Sequence, residues 1–98
     1  MFTRIVKMDF RAEEIPTFLS NFNLIKDNIR NFPGCLFLEL YQDKHEKNVF
    51  FTYSRWQSEQ DLENYRQSEL FKNVWSQTKP LFQNKAKAWS VDTLYSLK

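Results

Sequence analysis

The stretch Phe51-Thr52-Tyr53-Ser54-Arg55-Trp56-Gln57-Ser58-Glu59-Gln60 reads as a buried strand that ends in a tryptophan and passes straight into a capped helix. Ser58 followed three positions later by Asp61 is a variant of the capping box. Its hydroxyl is placed to accept a hydrogen bond from a helix N–H that has no partner within the helix. The strand therefore stops at Trp56, and the rest of the chain can be read outward from that point.

Upstream, Val49–Trp56 and Cys35–Gln42 are two strands joined by the polar run Asp43-Lys44-His45-Glu46-Lys47-Asn48, which predicts an antiparallel hairpin with His45 at its solvated tip. Before them, Ile15, Phe18, Leu19, Phe22, Ile25, Ile29 and Phe32 recur every three or four residues. Pro16 fits the first turn, and Pro33 and Gly34 end the helix. Phe2 to Phe10 is a first strand with Phe2, Val6, Met8 and Phe10 on one side and Ile5 on the other. Downstream, Leu62 and Tyr65 mark the inner face of a helix, Ser68 caps a second one, and Leu70, Phe71, Val74, Trp75 and Thr78 continue the apolar stripe until Pro80 ends or kinks it. After the polar Gln83, Asn84 and Lys85, the stretch Ala86 to Leu97 reads as a last strand with Trp89, Val91, Thr93 and Tyr95 on one face.

The order is β-α-β-β-α-β without linker or repeat. It predicts one domain over residues 1–98, of α+β class and ferredoxin-like, with a four-stranded antiparallel sheet and its helices on one face. The middle strands are apolar on both faces. Leu36, Leu38 and Leu40 alternate with Cys35, Phe37 and Tyr41 in one, and Phe50 and Trp56 oppose Val49, Phe51 and Tyr53 in the other. Helices cover only one face, so a homodimer burying sheet against sheet is expected. Glu39 and Arg55, charges on otherwise apolar strands, are expected to pair across the hairpin.

Composition excludes much chemistry. One glycine cannot build a dinucleotide fingerprint or a phosphate loop, which need several. One Cys and one His cannot build a zinc site of the usual nitrogen and sulfur ligands, and Cys35, beside Leu36, Phe37 and Leu38, reads as a core residue rather than the partner of His45 in a nucleophilic pair. The net charge of +2 gives no electrostatic footprint for nucleic acid. With no intramolecular disulfide possible and no apolar run near the ~20 residues of a membrane span, a cytoplasmic protein without membrane contact is expected.

With Trp56 followed by Tyr65, Ser68, Phe71 and Trp75, the segment from Thr52 to Trp75 resembles the antibiotic biosynthesis monooxygenase family of dimeric α+β barrels. The resemblance implies a homodimer with a small-molecule pocket between sheet and helices, working without metal or cofactor. In quinone-forming members the strand-end Trp lines the pocket, which Trp56 matches. An Asn four residues before it holds the substrate oxygen, where this chain has Thr52; a Tyr can follow six residues after it, where this chain has Leu62. Thr52 and Tyr65 thus become the catalytic candidates, and Trp56, Leu62, Phe71 and Trp75 the substrate-binding ones. The implied activity is monooxygenation of a small phenol or hydroquinone; a noncatalytic small-molecule binding module or a small-metabolite isomerase is the alternative. Haem-degrading relatives use an Asn in the first strand and an iron-ligating His ten residues after a helical Trp. The matching spacing here gives Tyr65 and Trp75, and Phe2 to Phe10 holds no Asn, so haem degradation is disfavoured. The same element order also belongs to RNA-recognition motifs, but Lys47 to Tyr53 lacks the glycines of that signature, and no nucleic-acid partner is expected.

Overall fold

The computed structural model describes residues 1–98. Its elements are β1 (Phe2–Phe10), α1 (Ile15–Arg30), β2 (Cys35–Gln42), β3 (Val49–Trp56), α2 (Glu59–Arg66), α3 (Glu69–Thr78) and β4 (Phe82–Val91), with single 3-10 turns at Ala12–Glu14 and Lys79–Leu81. The four strands form one antiparallel sheet in the order β2-β3-β1-β4. The fold is α+β and ferredoxin-like, as the sequence predicts.

Register explains which side chains meet. Phe2, Arg4, Val6 and Met8 lie opposite Trp56, Ser54, Thr52 and Phe50, so these eight residues share one face of the sheet. The helices cover that face. Near one end of β1, Met8, Phe10, Phe50 and Leu81 pack with Phe18 of α1; near the other, Phe2, Cys35 and Trp56 pack with Ile29 of α1 and Leu62 and Tyr65 of α2. The core is thus built as two clusters along the helix-facing surface of the sheet.

Local chemistry sets the joints. The Ser58 hydroxyl accepts from the Asp61 N–H at 3.1 Å, so α2 starts with only Gln57 and Ser58 between it and β3, as the sequence implies. Pro16 sits in the first turn of α1, and Arg30 in its last turn, where its positive charge complements the helix dipole, donates to the Cys35 carbonyl at 2.9 Å. Pro80 lies in the 3-10 turn that follows α3 and so ends that helix rather than kinking it.

Three expectations change. Cys35 was expected on the face with Phe37 and Tyr41, yet it lies opposite Trp56 in the core, because a β-bulge between Cys35 and Phe37 inserts Leu36 and reverses the alternation. The last strand runs from Phe82 to Val91, not from Ala86 to Leu97. Its start is earlier because the amides of Gln83 and Asn84 donate to the Asp9 carboxylate at 2.7 and 2.6 Å, while the Phe82 ring packs on Phe10 at 5.1 Å. Its end is earlier because Val91 already sits opposite Thr3, and β1 begins at Phe2, so Thr93 and Tyr95 find no strand to pair with.

The third change concerns Glu39 and Arg55, which form no ion pair. Glu39 accepts from the Tyr41 hydroxyl, while the Arg55 guanidinium lies over the rings of Phe37 and Tyr53 at 5.6 and 5.8 Å. Glu39 stands opposite Tyr53 and Arg55 opposite Phe37, so stacking on the aromatic directly across the ladder wins over the diagonal charge pair. His45 lies in the exposed turn after β2, and Cys35 at that strand's opposite end, which separates the two. No helix is long and apolar enough to cross a membrane.

Candidate functional site

Two hydroxyls position the aromatic residues of the second helical region. Ser58 starts α2 in a register that turns Leu62 and Tyr65, three residues apart, toward the sheet. Ser68 then accepts from the Phe71 N–H at 3.1 Å and donates to the Tyr65 carbonyl at 2.6 Å. One side chain therefore closes the end of α2 and opens α3, fixing the angle at which Phe71 and Trp75 approach Tyr65.

The result is a continuous run of rings. Trp56 stacks on Tyr65 with centroids 5.2 Å apart, Tyr65 meets Phe71 edge-on at 5.2 Å, Phe71 meets Trp75 at 5.9 Å, and Trp75 meets Phe82 of β4 at 5.7 Å. Beneath it lies a cavity of about 320 Å³, within the range that accommodates small organic ligands. All six residues singled out in the sequence, Thr52, Trp56, Leu62, Tyr65, Phe71 and Trp75, line it. Members of both core clusters line it as well, so the cavity occupies the gap between them.

The polar groups divide into those already engaged and those that are free. The Trp56 indole N–H donates to the Ser54 hydroxyl at 3.0 Å, leaving only its ring to face a ligand. Thr78 donates to the Val74 carbonyl at 2.6 Å within α3. Tyr65 and Thr52 keep hydroxyls with no protein hydrogen-bond partner, so each can donate to an oxygen in the cavity. Burial pushes the Tyr65 phenol well above the ordinary tyrosine range, with the nearby Cys35 thiol adding to the effect. It is a hydrogen-bond donor at neutral pH and no proton acceptor.

Sequence reasoning passed over Arg4, Asn21 and Arg66, which also line the cavity. Two of them carried a signal. Arg4 falls between Phe2 and Val6 on the inward face of β1, and Asn21 interrupts the apolar stripe Phe18, Phe22, Ile25 of α1; a polar residue on a buried face asks for a reason. Arg66 looks in sequence like an ordinary charge closing a helix.

Tyr65 supplies a pH test. Above the ordinary tyrosine pKa of about 10 the unfolded chain loses this proton while the folded chain retains it, so stability is full below that value and falls as pH rises further. In an ultraviolet titration Tyr65 is expected to ionise above the ordinary tyrosine range, as is Tyr41, which its hydrogen bond to Glu39 pushes up to about 12. Replacement of Tyr65 by Phe should remove one of these late steps and flatten the alkaline decline in stability.

A sequence profile described as antibiotic biosynthesis monooxygenase matches residues 1–75. No curated protein matches the chain. Among solved structures, a protein described as an antibiotic biosynthesis monooxygenase superposes with a TM-score of 0.90 at 18% identity, covering 97% of this chain and 100% of its own. A Pseudomonas aeruginosa protein gives 0.84 at 22% identity, covering 96% and 94% of the two chains. A Mycobacterium tuberculosis protein gives 0.87 at 16% identity, covering 99% and 98%.

Proposed function

Since the chain belongs to the antibiotic biosynthesis monooxygenase family, we propose that it oxygenates a small aromatic substrate, a phenol or hydroquinone, in the cavity between sheet and helices, without metal or cofactor. The observation that carries this reading is the unbroken aromatic wall from Trp56 through Tyr65 and Phe71 to Trp75 along a cavity of about 320 Å³. Trp56, Leu62, Phe71 and Trp75 bind the ring of the substrate, and Thr52 and Tyr65 donate hydrogen bonds to its oxygen. An electron-rich phenolate passes an electron to dioxygen by itself. One oxygen atom then enters the ring as a quinone oxygen and the other leaves as water, so a phenol plus dioxygen balances to quinone plus water. The protein's part is a dry pocket and donors aimed at developing negative charge.

Oxygen uptake with a panel of hydroquinones and phenols is the test. Uptake above the rate of autoxidation, reduced in Tyr65→Phe and Thr52→Val, is the expected result. No stimulated uptake with any member would remove the oxygenase reading.

One observation favours a second reading, a noncatalytic small-molecule binding module: no Asp, Glu or His lines the cavity, so no side chain there can take a proton. The same feature counts against an isomerase, which has to move one. Saturable binding of an aromatic ligand without oxygen uptake would decide for the binding module.

The outer face of the sheet supports a homodimer as the working unit. Phe37, Tyr41, Trp89 and Val91 are exposed there, and Tyr53 packs between Phe37 and Tyr41 at 5.9 and 6.1 Å. The Arg55 Nε on this face is buried with no hydrogen-bond partner. Such residues extend over β2, β3 and β4, and a second copy presents a face of the same extent and chemistry. Sedimentation at micromolar concentration is expected to give twice the chain mass, with a total interface above ~1,200 Å². A monomer under those conditions would remove the sheet-to-sheet arrangement.

A further inference from the structure

The charged residues that line the cavity are Arg4, Arg66 and Lys87, all cations, with no carboxylate among the lining residues. Lys87 stands opposite Lys7 at the β1–β4 ladder. The two arginines differ in how their charge is accommodated. Arg66 closes α2, where a cation is favoured by the helix dipole, and it makes an exposed ion pair with Glu63 at 3.5 Å. Arg4 has no such explanation. It sits mid-strand on the helix-facing side of β1, opposite Ser54 on one neighbour and Ser90 on the other. Its one side-chain partner is the neutral Ser90 hydroxyl, 3.0 Å from Nη1, and it takes part in no ion pair.

A partly buried guanidinium without a counter-ion is costly, because burial removes part of its water and a single neutral hydroxyl, that of Ser90, replaces little of it. Here the neighbouring charge makes matters worse: burial first, then repulsion from Arg66, makes the Arg4 proton easier to lose than that of an ordinary arginine. A chain built only for packing would place an apolar residue between Phe2 and Val6, as it does at Met8. The arrangement becomes favourable once an anion enters the cavity between the two guanidiniums.

We infer that the ligand of this cavity is an organic anion: an aromatic body against Trp56, Phe71 and Trp75, and a carboxylate, or a phenolate already ionised on arrival, held by Arg4 and Arg66. This deepens the proposed function and rests on it. It also accounts for the cavity's lack of a proton acceptor. A substrate that binds as its anion needs no general base, and two cations lower the pKa of a phenol placed between them.

The probes are 1-naphthoate and 1-naphthamide, which share ring and shape and differ in charge, each titrated near neutral pH and at low salt by quenching of tryptophan fluorescence. The wild-type chain is expected to bind the carboxylate roughly tenfold more tightly than the amide, the size of one charge-assisted hydrogen bond, with the gap narrowing as salt is added. In Arg4→Gln the gap should close while amide affinity stays unchanged. Arg66→Gln, at an exposed position, should narrow it. Equal affinity for the two probes in the wild type, or a gap that survives in both variants, would overturn the inference and leave the aromatic cavity reading in place. Failure of both probes to bind would overturn that reading and the inference together.

Discussion

Trp56→Ala should lower the free energy of unfolding by about 3–5 kcal/mol, the range for removing a fully buried aromatic side chain. Trp56 is 1% exposed, stacks on Tyr65 and meets Phe32 edge-on at 6.4 Å, so its removal opens the centre of one core cluster. It also frees the Ser54 hydroxyl, which loses its indole donor. A domain of this size has only about 5–15 kcal/mol in total, so the alanine variant stands near the edge of folding. Chemical denaturation measures the loss, and a change below about 1 kcal/mol would mean that Trp56 is not a core residue.

Trp56→Phe separates packing from binding. It keeps an aromatic face against Tyr65 and leaves the chain folded, while shortening the wall that a ligand would contact. Aromatic-ligand affinity in this variant is expected to fall several-fold. An affinity equal to wild type would make Trp56 structural and would remove it from the site.

Gly34→Ala comes second, with an expected loss of about 2–4 kcal/mol from two causes at one position. Residue 34 has φ of +90°, a conformation that side chains with a Cβ rarely adopt, and a Cβ built there would overlap the Asp61 side chain in the first turn of α2. The Gly34 carbonyl also accepts from the Gln57 N–H at 2.8 Å, so the turn after α1 is tied to the junction of β3 and α2. Relief of the clash alone is the control. In Asp61→Gly, which removes the Cβ and carboxylate that the new methyl group would meet, Gly34→Ala should still cost the backbone share of the loss; a free substitution in that background would mean that only contact, and no strain, holds glycine there.

That glycine shows how far local sequence reaches. Pro33 and Gly34 signal that α1 must stop, and it ends at Arg30, three residues before Pro33, because helix termination is decided within a few residues; so are the caps at Ser58 and Ser68, where a hydroxyl meets an N–H three positions away. The strand ending at Trp56 and the aromatic stripe from Tyr65 to Trp75 follow from the same short-range periodicity. These local features also carry the family resemblance, and the six residues they single out line one cavity.

Long-range pairing decided the remainder. Gln83 and Asn84 look like loop residues until the Asp9 carboxylate, more than seventy positions away, accepts from both amides and draws them into β4. The bulge that turns Cys35 inward depends on how β2 meets β3, and the fate of Arg55 depends on Phe37 lying across from it. Arg4 is the clearest case. In sequence it is one charge in a loosely alternating strand, and only the folding of α2 over β1 brings Arg66 to the same cavity, whose lining holds no carboxylate. Hydrogen bonds within a turn are set by neighbours along the chain, whereas charge balance in a cavity is set by residues that the fold, and not the sequence order, makes neighbours.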